Sequence, residues 1–397
     1  MKLCWLIPSD RGGGVTSVAV SVSQQATSSQ HELTLLTVIA PLENLDTNHK
    51  LKCDSLQLKR PARETPIALL EWLQTHPQNV LFLNGCEQAD AVIPYLPNAV
   101  KCVYVVHDTA PQYWLTAVRE EENLEAIVAV SDTVARQFRH RLKTPEKLWV
   151  ILNGCVFPDR PTSLEPRPDD LIFLGGEKPI KGSFDVLELW QQLAKQKFRG
   201  KLHWFGQIST QFRAKIDRLP HRDRIHLYDR TSRQRIFETA ATAKIILMLS
   251  RVEPFGMATI EAMGMGCVPV AWDIETGTRE IATANESGLF APLGDTAALA
   301  DLVSLGCRNY PTLGPAAMER ARSHFDSTTM WQGYESLLKK LDRLPPLTRN
   351  RVGESPQPYQ PPQRQYQKIP APIRAAIRQF VGRYPRLGYW VRDFRGL

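Results

Sequence analysis

The length and composition of the chain indicate a globular protein of two domains. At 397 residues it is too long for one hydrophobic core, and its apolar fraction of 43% is sufficient for folding. It contains no run of eighteen apolar residues, so no membrane-spanning helix is predicted. The seven cysteines form no CxxC pair, which indicates neither a zinc site nor a disulfide framework. The simplest expectation is a reduced, cytoplasmic protein.

The net charge of +8 is confined to the C-terminal end. Residues 344–397 contain ten lysines and arginines against Glu354 and Asp393, so residues 1–343 are balanced in charge. A nucleic-acid-binding body would carry a basic face of its own. The charge distribution therefore argues against nucleic acid as a partner.

The first part of the chain alternates strand and helix patterns. Met1–Ile7 is too short for a signal peptide and has the pattern of a buried strand. A helix is predicted next, from about Val15 to Ser28. The further predicted elements are strands at 33–38, 80–83, 102–106 and 126–130 and a helix at 66–74. This alternation predicts a parallel sheet with helices on both faces, and it assigns residues 1–155 to an N-terminal domain.

A second α/β series follows Asn153-Gly154 and predicts another domain over residues 156–325. Its predicted elements are strands at 171–174, 201–205, 225–227, 244–249 and 268–272 and helices at 183–196 and 233–241. Two sheets joined near residue 155 predict a cleft between domains, where ligands often bind.

The C-terminal residues 344–397 are predicted to be a linker followed by a basic aromatic tail. Residues 344–372 are rich in Pro, Gln and Arg, which predicts an extended linker. Ile373–Val381 then has the pattern of a basic amphipathic helix. Such a helix can lie on an anionic membrane surface. A solvated, disordered extension is the alternative.

Two glutamates stand where the second domain passes from a strand into a helix. The strand at 244–249 ends at Ser250, Glu253 falls in the following loop, and Glu261 falls about two turns along the helix. In open α/β sheets ligands bind at this edge. Free amides around Gly256 and Met257, at the helix start, suit a phosphate. The alternative is two solvated carboxylates on a surface helix.

Two features of the first domain are candidates for ligand contact. A loop with Gly12, Gly13 and Gly14 follows the first strand, and it lacks the spacing of a dinucleotide fingerprint or a P-loop. Glycines there let the backbone approach a ligand, or they form a flexible turn. His107-Asp108 follows the strand at 102–106, where the imidazole contacts a ligand or makes a structural hydrogen bond.

Lys181 lies at a predicted helix start, after the strand at 171–174. Positive charge is unfavourable there unless an anion joins it, which favours an anion contact over an ordinary surface lysine. The chain contains no Asp-x-Asp, the pattern of a metal clamp, so no metal site is predicted.

These segments together resemble the retaining GT-B glycosyltransferases of glycosyltransferase family 4 (glycosyl transferases group 1). The strongest likeness is Glu253-x7-Glu261, followed by Gly264-x-Gly-x-x-Pro-Val, and the likeness extends over about residues 1–342. It implies an α/β protein of GT-B fold, with two Rossmann-like domains facing a cleft. The N-terminal domain would bind the acceptor and the C-terminal domain the nucleotide-sugar donor. A crossover helix at 326–343 would pack back on the N-terminal domain.

The resemblance also implies roles for individual residues. Glu253 would bind hydroxyls of the donor sugar, Glu261 the ribose hydroxyls, and Lys181 the departing diphosphate. His107 would contact the transferred sugar. The remaining donor-binding positions that it implies are Gly13, Gly14, Phe255, Gly256 and Met257. The sequence departs from the family at Gly176, where an arginine is usual and for which Lys178 is a candidate substitute, and at Thr276 of Thr276-Gly277.

The implied activity is transfer of a hexose from a nucleoside diphosphate sugar to a glycan or lipid-linked acceptor. Retention of configuration, independence of metals and cofactors, and a place in polysaccharide biosynthesis go with it. The expected location is the cytoplasm, with peripheral contact to the inner membrane face through residues 373–397 as an option. Two alternatives stay open, a non-catalytic nucleotide-sugar-binding GT-B protein and a nucleotide-sugar epimerase of similar fold.

Overall fold

The computed structural model describes residues 1–9, 13–38, 51–56, 62–161, 163–164, 166–229, 231–361, 369–374 and 376–377. The chain divides into two units. Among the described residues, unit 1 holds Met1–Val156 and the segment from Ser327 to Pro361, and unit 2 holds Phe157–Asp326 and the short segment from Ile369. Gly12 of the glycine loop and most of the basic tail, including residues 378–397, lie outside the described residues.

Unit 1 is a parallel sheet of seven strands, in the order β3-β2-β1-β4-β5-β6-β7. The strands are β1 Lys2–Ile7, β2 Glu32–Thr37, β3 Cys53–Ser55, β4 Val80–Leu83, β5 Lys101–Val106, β6 Ala126–Ala129 and β7 Leu148–Val150. The helices are α1 Gly14–Ser28, α2 Thr65–Thr75, α3 Glu87–Asp90, α4 Pro111–Arg119, α5 Asp132–Phe138 and, from the later chain, α13 Ser327–Arg343. The central strands are buried along nearly their whole length because helices cover the sheet.

Helix α13 joins unit 1 through an apolar face. Its inward side chains follow helical spacing, and Tyr334 packs edge-on against Trp5 and Phe82. Two hydrogen bonds connect α13 to α1 and to the residue that follows α1: Gln25 Nε2 donates to Ser327 Oγ at 2.9 Å, and the Trp331 indole donates to Ser29 Oγ at 2.7 Å. The last helix before the tail is therefore part of the first unit's core.

Unit 2 is a parallel sheet of six strands, in the order β10-β9-β8-β11-β12-β13. The strands are β8 Leu171–Leu174, β9 Leu202–Phe205, β10 Ile225–Tyr228, β11 Ile245–Met248, β12 Val268–Trp272 and β13 Leu289–Ala291. The helices are α6 Ser183–Lys195, α7 Thr210–Ile216, α8 Arg233–Ala240, α9 Met257–Met263, α10 Gly277–Ile281, α11 Thr296–Arg308 and α12 Tyr310–His324. Hydrophobic clusters lie on both faces of the sheet, around Trp204 and Trp272 on one and Ile246 on the other. The predicted α/β class with two parallel sheets is confirmed.

The segment after α13 differs from the sequence-based expectation. Residues 344–361 contain neither helix nor strand, but they pack on unit 1 instead of extending away from it. Arg349 is 3% exposed, and its Nη2 lies 2.7 Å from Oε2 of Glu125, which is also buried. Its Nε donates to the Asn123 carbonyl at 3.0 Å. The sequence-based expectation rested on the lack of apolar residues in this segment. The segment is instead held by the ion pair and hydrogen bond of Arg349, which require no apolar surface.

No helix in the described part of the chain has the length and apolar character needed to cross a membrane. Residues 371–374 begin a helical turn at the place where the sequence predicts a basic amphipathic helix. The membrane contact of the tail stays a prediction.

Candidate functional site

Both sheets reverse their strand order at a point where polar residues gather. In unit 2, β9 and β10 extend to one side of β8, and β11 to β13 extend to the other. The carboxyl ends of β8 and β11 carry the loops with Lys181 and Glu253. In unit 1 the same reversal lies between β1 and β4. Ligands of open α/β sheets bind at such points, so the candidate site is placed by topology as well as by residue type.

Lys181 and Glu253 form an ion pair at the switch point of unit 2. The Lys181 Nζ atom lies 2.8 Å from Glu253 Oε2, with the lysine side chain 33% exposed and the glutamate side chain 11%. The Ser250 hydroxyl donates to the same Oε2 at 2.9 Å. A cation that is open to solvent on one side and held by a carboxylate on the other can bind an arriving anion without a change of position.

Three glycines let the backbone close around this pair. Gly182 has φ +87°, and a Cβ there would lie 2.4 Å from the Leu249 carbonyl oxygen. Gly256 has φ +117° and precedes α9. A Cβ on Gly277 would lie 2.2 Å from the Phe255 carbonyl oxygen, and the Gly277 amide donates to the Glu253 carbonyl at 2.7 Å. A side chain at Gly182 would collide with Leu249, at the end of the β11 strand, and one at Gly277 would collide with the backbone of the Glu253 loop.

A buried ion pair fixes the loop between Ser250 and Glu253. The Arg251 Nη2 atom lies 2.8 Å from Asp185 Oδ1, and Arg251 is 2% exposed. The Trp272 indole donates to the other oxygen of Asp185 at 3.3 Å. The Arg251 amide donates to the Ile180 carbonyl at 2.8 Å. Arg251 thus connects the Glu253 loop to the residue that precedes Lys181.

Glu261 lies on α9 and is 7% exposed. Arg233, the first residue of α8, contacts its Oε1 through Nη2 at 2.9 Å and Nε at 3.1 Å. Burial raises the pKa of the Glu261 carboxyl, and the neighbouring guanidinium acts in the opposite direction. Each predicted glutamate therefore has a cation of its own.

The backbone explains the absence of an arginine at Gly176. Its φ is +52°, and a Cβ would lie 2.8 Å from the Gln207 carbonyl oxygen. Its carbonyl accepts the Trp204 indole N–H at 2.9 Å. The local turn is built for glycine. Lys178 is exposed two residues further on, and no ion pair among the described residues identifies it as a substitute.

His107 lies at the carboxyl end of β5 in unit 1, next to a residue that follows β4. Its Nε2 lies 2.8 Å from Asn84 Oδ1. The Asn84 amide nitrogen donates to the Leu6 carbonyl at 2.9 Å, which assigns Oδ1 as the acceptor and Nε2 as the protonated nitrogen. Burial lowers the pKa of His107 to about 4. The imidazole is therefore neutral at physiological pH, with Nδ1 as a hydrogen-bond acceptor.

The other predicted donor-binding positions could contact a ligand mainly through their backbone atoms. Gly13 has φ +100°, and a Cβ there would meet no atom of the described residues within 4 Å, so conformation rather than crowding favours glycine. Gly14 begins α1 and is exposed. The Phe255 ring is 3% exposed and packs against Phe325, which leaves only its backbone for ligand contact. Gly256 and Met257 cap and begin α9.

No group of three His, Cys, Asp or Glu side chains suited to a metal ion occurs among the residues that the structure describes. Burial raises the pKa of the Cys267 thiol to about 12, and it raises the pKa of Cys86 and Cys307 as well. Such thiols are weak nucleophiles and weak metal ligands. Lys181, Glu253 and Glu261 are charged side chains of unit 2, and His107 is a titratable side chain at the carboxyl end of β5 in unit 1.

Residues 159–312 match the family model described as Glycosyl transferases group 1. That range includes both glutamates and Lys181, and it lies inside unit 2. The GDP-mannose:cellobiosyl-diphosphopolyprenol alpha-mannosyltransferase of Xanthomonas campestris is 26% identical over 182 residues, which are 45% of this chain and 47% of that protein. The chain thus spans about half the length of the curated relative it matches.

Solved glycosyltransferase structures share the fold over most of the chain. Anabaena Alr3699/HepE, in complex with UDP-glucose, has a TM-score of 0.70 at 19% identity and covers 86% of this chain and 100% of its own. A glycosyltransferase from Rickettsia africae has a TM-score of 0.71 at 17% identity, with coverage of 86% and 98%. These likenesses confirm the GT-B fold that the sequence predicts.

Sequence reasoning missed three polar partners of the site. Arg233 and Asp185 are separated by 28 and 66 residues from the side chains they pair with, and no spacing rule connects them. Asn84 carried a readable signal, since it directly follows a buried strand that pairs with the strand before His107. Polar residues that end neighbouring parallel strands meet at one edge of the sheet.

Proposed function

We propose that this chain is a retaining hexosyltransferase that uses a nucleoside diphosphate sugar as donor. The observation that carries the proposal is the Lys181–Glu253 pair at 2.8 Å, placed at the strand switch point of the unit that matches Glycosyl transferases group 1. Glu261 on the following helix supplies a second carboxylate. A cation beside two carboxylates suits a donor that has a diphosphate, a sugar and a ribose.

In the proposed reaction the bond between the anomeric carbon and the diphosphate oxygen breaks. The acceptor oxygen bonds to the anomeric carbon on the same face, and the acceptor's proton passes to the leaving phosphate oxygen. Lys181 would stabilise the negative charge that develops on the diphosphate. This sequence of events needs no protein base.

Glu253 and Glu261 would hold the two hydroxyl-bearing parts of the donor. A carboxylate oxygen accepts hydrogen bonds from hydroxyls, and vicinal hydroxyls suit its two oxygens. Glu253 would bind the sugar and Glu261 the ribose. The neutral imidazole of His107 would then contribute a hydrogen bond to the transferred sugar and no positive charge.

The relatives suggest which donors and acceptors to test first. HepE was solved with UDP-glucose, and the Xanthomonas protein is named for GDP-mannose and a diphosphopolyprenol acceptor. We therefore propose a uridine or guanosine diphosphate hexose as donor, and a glycan or a lipid-linked glycan as acceptor. Reaction at the cytoplasmic face of a membrane, in polysaccharide biosynthesis, would agree with such an acceptor.

The experiment is a transfer assay with a panel of nucleoside diphosphate hexoses and polyprenyl diphosphate saccharides. Nuclear magnetic resonance of the product gives the anomeric configuration, and chelator in a parallel reaction tests metal independence. We expect transfer with retention that persists in chelator and is lost in Glu253→Ala. An inverted product would contradict the mechanism.

Gly176 motivates the second candidate, a non-catalytic nucleotide-sugar-binding protein. In that case a nucleoside diphosphate sugar would raise the melting temperature of the protein. No sugar transfer would be detected with any acceptor tested. Donor turnover in the absence of acceptor would instead favour the epimerase alternative.

Contact of the basic tail with a membrane belongs to the same proposal. Eight basic residues against one acidic residue after residue 361 provide the attraction to anionic lipid. Sedimentation with liposomes that contain anionic lipid compares the full chain with one ending after Pro361, which keeps the packed segment at 344–361. Equal binding would contradict the role of the tail.

A further inference from the structure

Arg233 reaches Glu261 in a way that leaves one carboxylate oxygen available. Its Nη2 and Nε lie 2.9 Å and 3.1 Å from Oε1, so both contacts converge on the same atom. Within the part of the chain that the structure describes, Oε2 of Glu261 has no hydrogen-bond partner. The glutamate is thus half satisfied.

A half-satisfied carboxylate is unusual at this depth. Glu261 is 7% exposed, so its Oε2 atom has few water contacts, and no protein donor among the described residues replaces the contacts that were lost on burial. Those contacts are replaced when a ligand hydroxyl donates to Oε2. The arrangement therefore favours a ligand that brings hydroxyl groups to this oxygen.

The guanidinium is held in place from its other side. Arg233 is the first residue of α8, and the Cζ atom lies 5.2 Å from the ring centroid of Phe237, one turn further along. The Ser232 hydroxyl accepts the Arg235 amide at 3.2 Å and caps the helix. The helix start, and with it the Arg233 backbone, is fixed independently of Glu261.

We propose that Arg233 is a positioning residue for the donor's ribose. By holding Oε1 it orients Oε2 toward the ribose hydroxyls, and it thereby determines the preference for ribonucleoside over dideoxyribonucleoside diphosphates. This inference rests on the proposed function, because it takes Glu261 as the ribose-binding carboxylate. A lysine would reproduce the role only in part, since it keeps the charge but its ammonium is a point charge without a planar fork.

The test measures binding by isothermal titration calorimetry of the full chain. The probes are UDP and GDP and the 2′,3′-dideoxy form of whichever binds more tightly. A buried acceptor left without its hydroxyl is costly, so we expect the wild type to prefer the ribo form by about tenfold or more. In Arg233→Met this preference is expected to fall to about twofold or less, because the carboxylate is no longer oriented.

Arg235→Met is the matched control, since Arg235 lies on the same helix and pairs with Glu238 on the exposed surface. It is expected to keep the wild-type preference. Arg233→Lys, which retains the charge, is expected to show an intermediate preference and provides the answer if Arg233→Met does not fold. Circular dichroism melting checks the fold of each variant.

The outcomes separate the two levels of the proposal. If the wild type prefers the ribo form and Arg233→Met and Arg233→Lys prefer it equally strongly, the role of Arg233 is wrong and the proposed function stands. If the wild type binds neither UDP nor GDP nor other nucleoside diphosphates, the proposed function and this inference both fail. Loss of preference in the Arg233 variants alone supports the inference.

Discussion

Lys181 and Glu253 are 72 residues apart in the sequence, and their side chains meet at 2.8 Å. They lie on the loops that follow β8 and β11, two neighbouring strands of one sheet. The Ser250 hydroxyl donates a hydrogen bond to Glu253, and the Arg251–Asp185 ion pair fixes the loop that carries Glu253. The fold therefore sets the geometry of the pair.

Removal of Arg251 is expected to destabilise the protein. Arg251→Met leaves the Asp185 carboxylate buried without its charged partner, which costs about 3–5 kcal/mol of unfolding free energy. Urea denaturation followed by tryptophan fluorescence measures the change. The control is Arg213→Met, whose partner Asp229 is 4.0 Å away and mostly exposed, and we expect a change of at most about 0.5 kcal/mol. Similar values for the two variants would show that the buried pair contributes little.

The segment at 344–361 is expected to stabilise unit 1. Arg349→Met leaves Glu125 buried and unpaired, so the free energy of unfolding should fall by about 3–5 kcal/mol. Arg351→Met is the matched control two residues on, because Arg351 pairs with Glu354 at the surface. Urea denaturation of both variants is the measurement. A segment that acted only as a linker would give two variants of wild-type stability.

An arginine at Gly176, the residue usual in the family that the sequence resembles, is expected to destabilise the protein. Gly176→Arg places a Cβ 2.8 Å from the Gln207 carbonyl oxygen in a left-handed conformation, and that backbone conformation alone costs about 1–2 kcal/mol. Gly353→Arg is the control, since Gly353 also has positive φ, +85°, but no described atom within 4 Å of an added Cβ. Thermal melting should place Gly176→Arg below Gly353→Arg. The opposite order, or a gain in donor affinity for Gly176→Arg, would mean that the turn adapts to the arginine.

Stability is expected to depend on His107 below neutral pH. Burial lowers the pKa of His107 from 6.5 to about 4, so the unfolded chain takes up a proton first as the pH falls. The stabilising contribution of the neutral imidazole is present above pH 6.5 and is lost progressively toward pH 4. Urea denaturation at pH 7 and pH 5 should show a smaller pH effect in His107→Asn than in the wild type. The exposed His140→Asn should retain the wild-type effect, and an unchanged slope in both would contradict the assignment.

The regular parts of the fold were predictable from local patterns. Buried parallel strands are continuous apolar runs, and for that reason β4, β8 and β12 were predicted with their observed limits. The longer helices α1 and α6 were predicted to within one residue at each end. Apolar periodicity carries this information within a window of ten to fifteen residues.

Other elements were hidden by residues that usually interrupt them. Helix α12 contains Gly314-Pro315, which argues against a helix, but Tyr310 packs closely beneath Gly314 and buries this face. Strands β3 and β7 have only three residues each, too few for a visible alternation. Tertiary packing decides such segments, and a local pattern cannot reveal it.

The residues of the candidate site also fall into some that the sequence predicted and others that it did not. Glu253, Lys181 and His107 were recognisable because they follow strands or precede a helix, where ligand-binding residues collect. Glu261 was recognisable through its spacing from Glu253, which resembles the E-x7-E pattern of a known family. Their partners Arg233, Asp185 and Asn84 come from other elements, and only the sheet order brings them close. The sequence showed that Gly176 occupies a position where the resembled family usually has an arginine. It did not show the reason, which is the nearby Gln207 carbonyl oxygen.

The separate roles of Lys181 and Glu253 are tested most directly by donor binding, since this requires no acceptor. Calorimetry compares the wild type, Lys181→Met and Glu253→Gln with a nucleoside diphosphate and with the corresponding nucleoside diphosphate hexose. Lys181→Met is expected to weaken both ligands about tenfold or more, because it removes a charged contact to the diphosphate.

Glu253→Gln is expected to weaken the sugar-bearing ligand by a similar factor and to leave the nucleoside diphosphate within about twofold, because the proposal assigns Glu253 to the sugar and Lys181 to the diphosphate. Circular dichroism confirms that both variants are folded. If Glu253→Gln weakens the two ligands equally, or if Lys181→Met changes neither, the pair does not hold the donor as proposed.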